Sequence, residues 1–221
     1  QDNAGEVYIV DFVGGRLHRL VKAPPPPKDA PKFPRRLSET GLFQSVAGHV
    51  VEPSLLPYSV NAPLWSEGAI KTSYLALPET NSRIDIAPNR GWNFPDGTVA
   101  VKSFALELVD GDPASRHWIE TRLLTRQQGE WVGYSYAWND EQTEATLVEA
   151  PGRDRSFTIT GAAGERRQTW HYPGRTECMV CHTRASNFVL GLSTAQMNKL
   201  HDYDGVAENQ LHALEQLGLL D

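Results

Sequence analysis

From Val50 to about Trp170 the chain repeats one pattern, short runs rich in β-branched and aromatic residues separated by turn signals. Ile70 to Leu77, Thr98 to Leu108, Trp118 to Thr125 and Glu130 to Trp138 show partial alternation, the period that sends successive side chains to opposite faces of a strand. Pro95-Asp96-Gly97, Asp110-Gly111-Asp112-Pro113 and Gln128-Gly129 punctuate them. Two shorter runs, Ala145 to Glu149 and Ser156 to Thr160, carry the series on to Gln168-Thr169-Trp170. Regular short strands with Gly and Pro turns predict an antiparallel sandwich or barrel-like sheet. After Pro173-Gly174 the period changes. Thr194 to Leu200 and Val206 to Leu217 read as helices, the second with Val206, Leu211, Leu214 and Leu217 on one face and Gly218 placed to end it.

At the change of period stands Cys178-Met179-Val180-Cys181-His182, which contains both cysteines of the chain. Cys-x-x-Cys-His is the attachment signature of a c-type haem. Thiols at i and i+3 project from one side of a helical turn, so both reach the vinyl groups of one porphyrin, and the adjacent His182 is placed to bind the iron. Two other chemistries use Cys-x-x-Cys. A structural zinc site needs a second pair of ligands, and no further cysteine exists. A redox dithiol expects a βαβ setting, whereas this motif follows a Pro-Gly turn near the end of the sequence. The expected class is therefore α+β, an antiparallel β-rich sandwich or barrel-like domain (35–170) followed by a short helical haem-binding C-terminal portion (171–221).

The 221 residues carry a net charge of −6 with no basic run, which argues against nucleic acid as a partner. No apolar stretch approaches the length of a transmembrane helix. Covalent haem attachment ordinarily follows export, so the motif implies a periplasmic or otherwise exported location.

Glu6 to Lys22 reads as two short strands around Gly14-Gly15, giving a hairpin over residues 1–23. Pro24-Pro25-Pro26-Pro27, Pro31 and Pro34 mark 24–34 as a semi-rigid linker between domains. Glu6-Val7-Tyr8-Ile9-Val10-Asp11-Phe12 and Gly14-Gly15-Arg16-Leu17-His18-Arg19-Leu20 resemble the closing strands of the propeller in PQQ-dependent soluble sugar dehydrogenases. A wider set of segments runs from residue 35 to 221: Pro57 to Lys71, Phe94 to Phe104, Ile119 to Leu124, Tyr136 to Ala145, Cys178 to His182, Gly191-Leu192 and Gln196-Met197-Asn198. Together they resemble the exported bacterial c-type cytochromes, including the planctomycetal cytochrome c domains that follow such a propeller. The resemblance implies one covalent haem c and single-electron transfer from a PQQ-dependent dehydrogenase domain, or a similar donor, to a redox acceptor protein.

His182 is the expected proximal ligand. Met179 is confined between the cysteines, so Met197 is the expected sixth ligand, with His201 and His171 as alternatives. Trp170, Tyr172 and Phe188 flank the motif as aromatic walls that exclude water. Arg175 and Arg184 are candidates to pair with the haem propionates. Outer-sphere electron transfer asks no bond chemistry of the chain, and no residue is assigned a catalytic role. The competing expectation is a peroxidase-like or ligand-binding haem protein whose sixth position is open and whose distal side carries His171 or His201.

Overall fold

A computed structural model describes residues 2–12, 14–22, 33–87 and 91–220. The chain divides into two compact units, Gln1–Phe33 and Pro34–Asp221. In the first, β1 (Tyr8–Asp11) pairs antiparallel with β2 (Arg16–Arg19). The turn is held by the Gly14 amide, which donates to Asp11 Oδ1 at 2.8 Å, and by Gly15 in the left-handed region at φ 62°. Ile9, Val10 and Leu17 remain exposed, as expected of a two-stranded ribbon with no second layer of its own. Residues 23–32, most of the proline-rich linker, lie outside the described residues.

The second unit is built on one antiparallel sheet. After the short hairpin β3 (Phe43–Ser45) and β4 (Val50–Val51) come β5 (Leu56–Pro57), β6 (Ile70–Ala76), β7 (Val99–Glu107), β8 (Arg116–Gln127), β9 (Glu130–Trp138) and β10 (Ala145–Leu147). Strands β5 to β10 lie side by side in chain order, a six-stranded meander. Its register sorts side chains into cross-strand rows. Tyr74, Val101, Leu123 and Tyr134 form a row on one face. That face is covered by Leu37, Leu42, Phe43 and Val46 from the N-terminal side of the unit, with Tyr136 and Trp138 filling the same core.

The opposite face carries two separate apolar cores. At one end Leu75, Ala100, Leu124 and Trp131 pack against Ile84, Trp92, Val189, Leu192, Met197 and Leu214. At the other, Phe104, Leu106, Ile119 and Ala137 meet Phe157, Ile159, Trp170 and Tyr172. These last four come from a long hairpin, β11 (Arg153–Gly161) and β12 (Gly164–Tyr172), paired in register along its whole length. A bulge makes the second core possible: Phe104 pairs with Glu120 and Ala105 with Trp118, so Ile119 is the unpaired extra residue. Ile119 thereby turns inward beside Glu120.

The expected class needs correction on two points. There is no sandwich or barrel of matched sheets among the described residues, but one open meander with hairpins and loops covering it. Nor is the C-terminal portion a helical haem-binding domain: strands take up 42% of the structure and helix 14%, in three short pieces. These are α1 (Arg175–Cys181), α2 (Thr194–Met197) and α3 (Gln210–Gln216). Leu200 and the stretch Val206 to Asn209, taken from the sequence as parts of two helices, belong instead to a hairpin of β13 (Leu200–Tyr203) and β14 (Val206–Asn209). The cause is Asp204-Gly205, a two-residue turn whose φ values of 53° and 93° suit a tight hairpin and stop a helix. Leu200 and Val206 are two-thirds exposed, so the periodicity that counted them in an apolar face was accidental. Asn209 then caps α3 by accepting from the Leu211 amide at 3.0 Å.

Candidate functional site

Helix α1 lies against β9, over the face that bears two cores. Its start is fixed by Glu177, whose carboxylate accepts from the Gly174 amide at 2.6 Å. Its close seat depends on Gly133: a Cβ there would lie 2.5 Å from Cys178 Cβ and 2.8 Å from its Sγ. Only a residue without a side chain lets the helix approach so near. Cys178 and Cys181 are both free thiols one helical turn apart, Cys178 half-buried on the sheet and Cys181 exposed. Burial pushes the Cys178 thiol up from its ordinary value.

His182 follows directly on α1 and is half-buried. Its Nδ1 lies 2.6 Å from the Phe188 carbonyl oxygen. A carbonyl only accepts, so Nδ1 carries the proton and Nε2 keeps its lone pair for a Lewis acid. Burial, and after it the nearby Lys102 and Arg122 cations, hold the imidazole below its usual pKa and in that neutral form. The accepting carbonyl is itself held in place. Asn187 and Phe188 both adopt left-handed backbone, φ 53° and 63°, rare for Phe. The Asn187 side-chain amide donates to the carbonyls of Gly91 and Trp92 at 2.7 and 3.0 Å and to Asn93 Oδ1 at 2.9 Å.

The remaining sequence candidates fall into three places. Met197 is 2% exposed and sits in the first core with Trp92, Leu192 and Leu214; the Phe188 side chain packs against the same core. It lines a small apolar cavity together with Tyr58, Leu75 and Trp92. Trp170 and Tyr172 belong to the second core, where Trp170 Nε1 donates to Glu120 Oε2 at 2.8 Å. The Tyr172 hydroxyl is buried without a partner among the described residues, and burial pushes its pKa up to about 12. Arg175 and Arg184 are exposed, Arg175 with its guanidinium 5.8 Å from the Tyr134 ring centre.

The two alternative histidines are engaged elsewhere. His201, on β13, bonds Ser59 Oγ at 3.0 Å. His171 stands on β12 between Asp154 (2.6 Å) and Glu177 (3.2 Å), tying the long hairpin to α1. The hydrogen bond to Asp154, then that to Glu177, raises its pKa above 6.5. A raised folded value means that the imidazolium stabilises the fold below 6.5 and that this contribution is lost as pH rises through the higher folded value. The group is exposed, so the effect is small. We expect the thermal midpoint of the wild type to fall slightly over that interval relative to His171→Gln; parallel pH profiles would contradict the assignment.

The grouping of residues on the sheet beneath the motif is not visible in the sequence. Ser73, Lys102, Arg122 and Ser135 form one row on the inward face, between the row Leu75, Ala100, Leu124, Gly133 and the row Lys71, Phe104, Glu120, Ala137. Glu120 is fully buried and accepts from Arg122 through two bonds of 2.8 Å, from Ser135 and from Trp170. Burial, then Lys71 and Arg122, bring the Lys102 pKa down to about 8. The available signal was phase: Lys102 alternates with Ala100 and Phe104, both buried.

Two free thiols on one turn beside a neutral imidazole anchored through Nδ1 are the kind of donor set that a covalent haem uses. Among the described residues no group of three or more His, Cys, Asp and Glu side chains is arranged to hold a bare metal ion. Comparison with protein-family models, with curated proteins and with solved structures finds no match to this chain. Among the described residues no helix is long and apolar enough to cross a membrane.

Proposed function

We propose that residues 34–221 form a c-type cytochrome unit that carries one covalent haem and passes single electrons. The observation that carries this reading is the 2.6 Å hydrogen bond from His182 Nδ1 to the Phe188 carbonyl, in a residue next to two thiols on one helical turn. Anchoring the far nitrogen fixes the ring and its tautomer and raises the basicity of Nε2. A bound haem supplies an iron that cycles between two oxidation states.

The chain's own part is to bind and to insulate. Cys178 and Cys181 provide the thioether positions, and His182 the proximal ligand. Met197 is the proposed sixth ligand, supplied from the apolar core. Trp170, Phe104 and Phe188 keep water from the sheet side, which favours a small reorganisation on electron transfer. The donor is a PQQ-dependent sugar dehydrogenase domain or a similar protein, the acceptor a further redox protein, and the location periplasmic or otherwise exported. The open-site, peroxidase-like alternative gains nothing from the geometry, because His171 is bound to two carboxylates and His201 to Ser59.

The test is to produce the chain in cells that mature c-type haem. A haem that survives acid-acetone extraction, is lost in Cys178→Ser with Cys181→Ser, and gives a reversible reduced-minus-oxidised spectrum is the expected result. Unmodified polypeptide mass from such cells would sink the proposal.

A further inference from the structure

Between Tyr58 and the start of β6 the chain forms a strap on the inward side of the sheet, and both of its ends are fastened. At one end it is bound to the segment that carries Met197. The Asn61 amide donates to the Gln196 carbonyl at 3.0 Å, and the Asn61 side chain donates to the Ala195 and Asn198 carbonyls at 2.8 and 3.2 Å. The fully buried Gln210 side chain donates to the Met197 carbonyl at 3.2 Å and to the Ser59 carbonyl at 2.8 Å, so the strap and the methionine share one support. At the other end Gln168, two residues before Trp170 on β12, donates to the Glu67 carbonyl at 2.7 Å. Lys71 holds the middle, donating to the Leu64 carbonyl and, at 3.3 Å, to Ser66 Oγ. Glu67 and Gly68, at φ 54° and 76°, then turn the chain back into β6.

Fixed in this way, the strap presents two adjacent large apolar side chains, Leu64 at 79% exposure and Trp65 at 74%. A single apolar side chain on a surface needs no explanation, but an indole beside a leucine on a backbone that cannot fold them inward is a contact surface. What it contacts follows from what the strap joins. Helix α1 with its two thiols stands at β9 and the strap at β6, on the same face of the sheet and three strand spacings, about 14 Å, apart. The floor between them is the row Ser73, Lys102, Arg122 and Ser135, which separates the two cores. A flat ligand tethered at Cys178 and Cys181 lies over this floor, and the strap crosses the same floor from the Met197 segment to the Trp170 hairpin.

We propose that residues 63–66 are the outer wall of the cofactor pocket, with Trp65 in van der Waals contact with the bound macrocycle and Leu64 beside it. The inference rests on the haem reading above and adds to it the cover on the side away from the sheet. Leu64 and Trp65 exclude water there, as Trp170 and Phe104 do from below.

The experiment uses the matured chain grown with 5-fluorotryptophan. Of its six indole fluorine resonances, that of Trp65 is the one lost in Trp65→Phe. An indole against a ferric haem is expected to give a shifted and broadened signal that moves on reduction. A Trp65 signal at the position of an indole in water, unmoved by reduction, would overturn the inference while leaving the haem reading intact. Opening the wall admits water, which favours the more highly charged ferric state, so Trp65→Ala is expected to lower the midpoint potential and Trp65→Phe to keep most of it. An unchanged potential in Trp65→Ala would count equally against the wall. A Trp65 signal that moves only when a redox partner protein is added would make the strap a protein-docking surface and overturn the inference too. Absence of covalent haem from the wild type sinks the haem reading, and the inference with it.

Discussion

Glu120→Ala is expected to cost about 3 kcal/mol or more, the scale of breaking one side of a buried ion pair. The carboxylate is fully buried and serves four donor atoms, on Arg122, Ser135 and Trp170. Its removal leaves the buried Trp170 Nε1 without an acceptor and three cations on one sheet face without a counter-charge. Glu120→Gln keeps the shape and one carbonyl acceptor and should cost less. Urea denaturation of the chain gives both numbers, and a loss below about 1 kcal/mol for the alanine variant, the value of one ordinary hydrogen bond, would show that the pair is not what joins β8 to β12.

The second large effect falls at Gly133. Gly133→Ala places a methyl carbon within 2.5 Å of Cys178 Cβ, an atom fixed to the helix backbone and unable to swing aside. Either α1 lifts from β9 or the strand bends, and overpacking of this kind costs about 1 to 3 kcal/mol. Because α1 is only seven residues long, it has little else to hold it. Covalent haem yield in maturing cells should drop together with the urea midpoint. Full yield with unchanged stability would mean that α1 does not need its present seat.

The strands β6 to β9 were legible because alternation and turn residues agree over them, but their arrangement as one open meander, not a sandwich or barrel, was not. The helical expectation failed at Asp204-Gly205, where a turn signal was outweighed by a spacing of apolar residues that only tertiary packing assigns. What covers each face was not legible at all. The two cores of the inward face recruit Phe157 and Trp170 from one hairpin and Leu192 and Met197 from segments far along the chain, and no local pattern records which meets which. The bulge at Ile119 adds a phase slip, placing Ile119 and Glu120 on one side. Strict alternation applied across Trp118 to Arg122 would therefore assign one of them wrongly. Cys178, Cys181 and His182 could be named from five residues, whereas Lys102, Glu120 and Gly133 acquire meaning only from strand register.

The anchor on His182 also has a temporal side. The two thiols are set by a single helical turn, a contact that forms in well under a millisecond once α1 is nucleated. The imidazole is oriented by a carbonyl whose own position depends on Asn187 reaching Gly91, 96 residues earlier in the chain. Such a closure carries the entropy of a long loop and waits for the sheet between them to assemble. Thiol presentation is therefore expected to precede ring alignment, so that a chain captured midway in folding offers both sulfurs while the His182 ring is still unaligned.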